Sequence, residues 1–299
     1  MIKIRNLHKS FNGFPVLSDL NLTIQQGSIY GLVGANGAGK TTLIKHIVGV
    51  FKQDSGDILI KDNPIFEDVS LKSSIGYIAD DLFFFSMYNL KNMSRFYRKI
   101  YPNWNEERYK FMLNLFKLDE NKRISKFSKG MQKQAAFILT MSCMPEILVL
   151  DEPIDGLDPL IRKRVWKIII EDVSERNISV LVSSHNLKEL EGICDSIGIL
   201  NGGRMVIERE LDELKSDISK IQVAYELGTP KELSEKLDIL HREKRGSIDL
   251  FIVKGNRNSI IEMLQSENPL ILDVLPLTLE EIFIYELGGA GHEIKDVLF

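Results

Sequence analysis

Gly34-Ala35-Asn36-Gly37-Ala38-Gly39-Lys40-Thr41 fits G-x-x-x-x-G-K-[ST], a loop whose backbone N–H groups wrap nucleotide phosphates. The flanks suit it. Ile29-Tyr30-Gly31-Leu32-Val33 reads as a strand before it, and Thr42 to Val48 as a helix after it. Glycine is needed where the backbone must approach a phosphate in conformations that side chains forbid. The helix that follows directs unpaired N–H groups and the positive end of its dipole at the anion. The loop, from Gly34 through Thr42, is thus expected to bind phosphate, with Lys40 on the β- and γ-phosphates and the Thr41 hydroxyl on Mg²⁺.

The bulk of the chain narrows the rest. Its 299 residues suggest about two domains. A net charge of −4 weighs against nucleic acid as the main partner. Cys143 and Cys194 have neither metal-type spacing nor a disulfide framework around them, as expected in a reducing cytosol. Apolar runs such as Leu82-Phe83-Phe84-Phe85 fall far short of a membrane span, and the alternating Met1-Ile2-Lys3-Ile4-Arg5 lacks a signal-peptide core. A membrane, if involved, is reached through a partner.

Short strands lead up to the phosphate loop, and about 83–143 reads as a helical insertion. Ile147-Leu148-Val149-Leu150 and Ile178–Val182 read as buried parallel strands, with a helix over 160–173 between them. Asn201-Gly202-Gly203 signals a hairpin. Residues 1–214 form one expected domain and 215–299 a second, which carries ten basic and fifteen acidic residues. The second reads β-α-β-β-α-β, a split βαβ or ferredoxin-like order, with its first helix at Lys231–Leu237. The predicted fold class is therefore α/β with a small α+β domain at the C-terminal end.

Asp151 follows the apolar strand and is itself followed by Glu152. A carboxylate at the carboxyl end of a buried parallel strand suits a Mg²⁺ partner, and one residue further a carboxylate can polarise a water in line with the γ-phosphate.

With these residues in hand, the chain resembles the ATPase subunit of an ATP-binding-cassette (ABC) transporter from Met1 to about Leu211. Ser128-Lys129-Gly130-Met131-Gln132 resembles the family signature; it lies 23 residues before Asp151 and opens a helix. The resemblance implies a P-loop cassette with an antiparallel β subdomain and a helical subdomain. It also implies that Ser128, Gly130, Met131 and Gln132 bind the γ-phosphate of ATP held by a second cassette. Asp158, in Gly156-Leu157-Asp158-Pro159, resembles the loop that couples two sites across the dimer. His185 resembles the switch histidine at the γ-phosphate, and Phe11 the aromatic that stacks on adenine, with Val16 beside base or ribose. Where the family has Pro-Gln, this chain has Ala79-Asp80, so Asp80 is expected to take over at Mg²⁺, a cation that accepts carboxylate oxygens. Leu82 to Tyr88, too apolar for a plain loop, is expected to receive a helix of the permease or else to pack the helical subdomain. The implied protein hydrolyses ATP with Mg²⁺, pairs with a second cassette and drives an integral membrane permease from the cytoplasmic face of the membrane. Bacterial export of a drug, peptide or lipid-linked substrate fits best, with no nucleic acid bound. The alternatives are a soluble cassette ATPase acting on ribosomes or nucleic acid, and a regulatory module without turnover.

Overall fold

Alternating apolar residues build the first sheet. In the computed structural model, which describes residues 1–287 apart from 227, 231, 232, 234 and 235, β1 (Ile2–Phe11) and β2 (Phe14–Ile24) pair antiparallel. Ile2 lies opposite Ile24 and Ile4 opposite Leu22, and all four are buried. β4 (Ser55–Ile60) and β5 (Asn63–Pro64) complete the order β2-β1-β4-β5.

The second sheet has six strands: β3 (Ile29–Val33), β6 (Ile75–Ile78), β7 (Ile147–Asp151), β8 (Ser179–Ser184), β9 (Ser196–Asn201) and β10 (Arg204–Glu210). Their order is β10-β9-β3-β8-β7-β6, and the pairings of β9 with β3, β3 with β8, β8 with β7 and β7 with β6 are parallel. Every residue of β3, β7 and β8 is buried, which explains the apolar stretches Ile147–Leu150 and Val180–Val182. Because these strands run parallel, Val33, Asp151 and Ser184 end at the same edge, the one where open α/β sheets bind ligands.

Helix boundaries follow capping side chains. α1 (Lys40–Ile47) begins inside the phosphate loop, and α2 (Val69–Ser73) is capped by Asp68. Between β6 and β7 lie α3 (Leu90–Ile100), α4 (Glu106–Phe116) and α5 (Lys129–Ser142), capped by Asn89, Asn105 and Ser128. Each cap satisfies an orphan N–H, worth ~1 kcal/mol. α6 (Pro159–Arg176) runs three residues past the expected end, to a left-handed Asn177. Asp172 on α6 is buried between Arg108 of α4, at 2.6 Å, and Arg176, at 2.7 Å.

By its contacts the chain divides into two compact units. One comprises Met1–His185 with Ser196–Glu208; the other comprises Asn186–Asp195 and the residues from Arg209 onward. In the second unit β11 (Ile218–Ala224), β12 (Asp238–Arg245), β13 (Ile248–Lys254) and β14 (Ile271–Leu275) pair antiparallel in the order β12-β13-β11-β14. That order is the one a split βαβ unit generates. The expected helix Lys231–Leu237 falls largely outside the described residues. α8 (Leu211–Asp217) leads into β11, and α9 (Arg257–Gln265) packs Ile260 and Leu264 into a core with Ile221, Phe251 and Val253. The short α7 (Leu187–Leu190) joins this unit rather than the first, because Leu187 and Leu190 are buried there and the Leu279 N–H, opening α10 (Leu279–Leu287), donates to the Glu191 carboxylate.

Candidate nucleotide site

The phosphate loop leaves the end of β3 and turns into α1. A Cβ on Gly34 would sit 2.4 Å from the Leu200 carbonyl oxygen, so only glycine fits there. Gly37 has φ +84°, and a Cβ at that position would point into open space, on the side a ligand would occupy. Gly39 caps α1 without a side-chain bond, which leaves the first-turn N–H groups to an anion. Lys40 is buried and folded onto its own loop, with Nζ donating to the Gly34 carbonyl at 2.6 Å.

Three strand ends meet beside it. The Thr41 hydroxyl donates to Asp151 Oδ2 at 2.8 Å, and the Ser183 hydroxyl donates to Asp151 Oδ1 at 2.5 Å. The Glu152 N–H donates to Ser183 Oγ at 3.2 Å. Glu152 is left-handed, with φ 47°. Its Oε2 lies 3.0 Å from His185 Nδ1. A carboxylate only accepts, so that nitrogen carries the proton. Glu152 Oε1 is buried, makes no hydrogen bond, and lies 3.4 Å from Lys40 Nζ. The cleft encloses ≈ 240 Å³, and Val16, Asn36, Thr42 and Asp80 line it together with Lys40, Thr41, Asp151 and Glu152.

These residues fit a Mg²⁺–nucleotide. Among the described residues no three His, Cys, Asp or Glu side chains converge on a metal position. Mg²⁺ does not need them, since it keeps waters and substrate phosphates and takes one or two protein oxygens. Thr41 Oγ1 and Asp151 Oδ2, 2.8 Å apart, are the oxygens that would supply them, and Asp80 lines the same cleft.

Phe11, expected on adenine, and the residues expected to serve a second cassette lie outside this cleft. Phe11 is 38% exposed, meets Phe51 edge-on at 5.4 Å and carries the Lys9 ammonium 5.3 Å from its ring centre. The Ser128 hydroxyl accepts the Met131 N–H at 3.2 Å, and neither it nor Gly130 lines the cleft. The Gln132 amide donates to the Phe127 carbonyl at 3.2 Å, which ties it to its own turn. Asp158 Oδ1 accepts the Leu160 and Ile161 N–H groups as the cap of α6.

Three residues in the site went unnoticed in the sequence. Ser183 interrupts an apolar strand, the one local hint it gave. Lys133 of α5 donates to the Glu152 carbonyl at 2.7 Å. The Tyr77 hydroxyl is buried without a hydrogen bond; burial, reinforced by the negative Asp151 and Asp80, pushes its pKa up to about 12, so it stays neutral.

The family model described as ABC transporter matches residues 17–155. The chain is 32% identical to the ABC transporter ATP-binding protein YtrB of Bacillus subtilis over 97% of its own length and 99% of YtrB. It is 29% identical to the bacitracin transport ATP-binding protein BcrA of Bacillus licheniformis, over 97% and 98% of the two chains. A solved structure of an ABC transporter ATP-binding subunit superimposes with a TM-score of 0.67 at 27% identity, covering 72% of this chain and 92% of that one. With the phosphate loop, the Asp151–Glu152 strand end and His185 gathered at one sheet edge, the chain belongs to the ABC transporter family, as an ATP-binding ATPase subunit.

Proposed function

We propose that the chain is the ATP-hydrolysing subunit of an export system, pairing with a second cassette when ATP binds and thereby driving a separate membrane permease. One observation carries the pairing. The signature segment caps α5 at the protein surface and does not line its own chain's cleft. The Ser128 hydroxyl accepts from Met131 and keeps its own proton for a second acceptor. A helix N-terminus with such a hydroxyl suits the terminal phosphate of ATP held by another cassette.

Hydrolysis follows from the cluster. Thr41 and Asp151 would hold a Mg²⁺, whose charge would offset that of the phosphates. The Glu152 carboxylate orients the attacking water, and Lys40 shifts from the Gly34 carbonyl to phosphate. His185 fixes Glu152 through Nδ1 and offers its other ring nitrogen toward the transferred group. The permease contact is proposed at Phe83, 82% exposed, and Met87, 63% exposed, beside a groove of ≈ 280 Å³ that Phe84 and Phe85 line. No helix among the described residues is long and apolar enough to cross a membrane. The proposed location is therefore peripheral, at the cytoplasmic face. Export is favoured by the likeness to BcrA, which is named for bacitracin transport.

The test is an affinity pull-down of tagged Glu152→Gln protein with ATP from solubilised native membranes, read by mass spectrometry. A multi-span protein in near-equal amount is expected, and Phe83→Ala with Met87→Ala should reduce its recovery without loss of ATP binding. Ribosomal proteins or nucleic acid in its place would favour a soluble cassette ATPase.

A further inference from the structure

Lys133 sits in the second turn of α5, behind the Ser128 cap. A cation there opposes the helix dipole. Its side chain is only 11% exposed, so its ammonium has left most of its water and needs partners. It has two. Nζ donates to the Glu152 carbonyl at 2.7 Å and lies 3.4 Å from Asp80 Oδ1.

The residue it holds is strained. Glu152 at φ 47° is in the left-handed region, a strained conformation for a non-glycine residue that persists only where its surroundings enforce it. Side chains from two different elements do so. Ser183 of β8 accepts the Glu152 N–H, and Lys133 of α5 takes the Glu152 carbonyl. In that conformation the carboxylate reaches both His185 and Lys40. With the carbonyl released, the backbone is free to relax to an ordinary conformation, and the carboxylate swings away from the loop.

We propose that Lys133 is a positioning residue for hydrolysis: its ammonium, oriented by Asp80, clamps the main chain of Glu152 in the conformation that presents the carboxylate to the water. The proposal rests on Glu152 acting as the catalytic carboxylate. It also gives α5 a mechanical part. The helix whose N-terminus would face the partner's nucleotide is bonded, within its own chain, to the residue that orients the water at that chain's own nucleotide.

The experiment is steady-state ATPase kinetics on the full-length protein, with equilibrium binding of a fluorescent ATP analogue and thermal melting alongside. Lys133→Met is expected to lower kcat about tenfold or more while KM and analogue affinity move less than about twofold. Lys133→Arg, which keeps a charged donor, should recover much of the loss. In a Glu152→Gln background Lys133→Met should lower the residual rate by less than about twofold, because its effect passes through Glu152. Unchanged kcat in Lys133→Met overturns the proposal. So does a loss that carries through undiminished into the Glu152→Gln background, or one that tracks melting temperature and is not rescued by arginine. Should Lys133→Met not fold, Lys133→Ala, which likewise has no side-chain donor, serves the same comparisons. Normal turnover in Glu152→Gln alone would instead remove the catalytic reading of Glu152 on which the inference rests.

Discussion

Asp80 stands where the family resemblance leads one to expect glutamine, and it has two neighbourhoods. It lines the cleft beside Thr41 and Asp151, and it faces the Lys133 ammonium. If it helps hold Mg²⁺ directly or through water, Asp80→Ala should raise the Mg²⁺ concentration for half-maximal hydrolysis about tenfold, as loss of supporting oxygens does elsewhere. A Mg²⁺ titration of ATPase rate measures this, and an unshifted curve would remove Asp80 from the metal. Residues of the phosphate loop, Asp151, Glu152 and His185 were legible in the sequence because local strand-turn-helix order brings each to the sheet edge. Lys133, Ser183 and Tyr77 were not. Their roles exist only once α5, β8 and β6 are laid against β7, and nothing in their own neighbourhoods marks them. Gln132 and Asp158 were assigned by the family resemblance to a second cassette's nucleotide and to the coupling of two sites; within this chain their side chains bond to local backbone.

α5 and α3 enclose an aromatic and thiol cluster that makes the helical insertion sensitive to alkali. Burial pushes the Cys143 thiol up to about 12, and burial likewise raises the Tyr97 and Tyr101 hydroxyls. In the unfolded chain the thiol ionises near its ordinary 9.0. The folded value lies above the unfolded one, so this contribution is fully present below about pH 9 and is lost as pH rises toward about 12. Each such group adds a slope of at most about 1.4 kcal/mol per pH unit in that window. Urea midpoints measured from pH 8 to 10.5 should fall with pH, and Cys143→Ala should flatten the fall. In the first unit α1, α5 and α6 were individually legible from the sequence, α3 and α4 only as one helical stretch, and α2 not at all. The order of the strands in each sheet was not, except in the second unit, where alternating strand and helix signals already imply a split βαβ. For the antiparallel sheet, β4 docks on β1 across the whole of the phosphate loop and α1, a pairing that no local pattern encodes.

The division into two units does not follow the order of the sequence. The expected boundary near Leu214 treats the second domain as an appendage to 1–214, yet Asn186–Asp195, between β8 and β9, packs with the later residues. Leu187 and Leu190 are buried in that unit, and Lys188 pairs with Glu280 at 3.0 Å. Removing everything after Leu214 should therefore strip the cover from both leucines. The truncated protein is expected to bind a hydrophobic dye and to aggregate, and Leu187→Ser with Leu190→Ser should relieve both. A dye-binding and light-scattering comparison of the two truncated forms decides it. Sequence order missed this because a four-residue helix after a strand gives no sign of which core it joins. The consequence reaches into the handling of the molecule. Because Asn186–Asp195 belongs with the later residues, one cut in the sequence cannot separate the two units, and exchanging the second unit whole takes junctions on both sides of that segment as well.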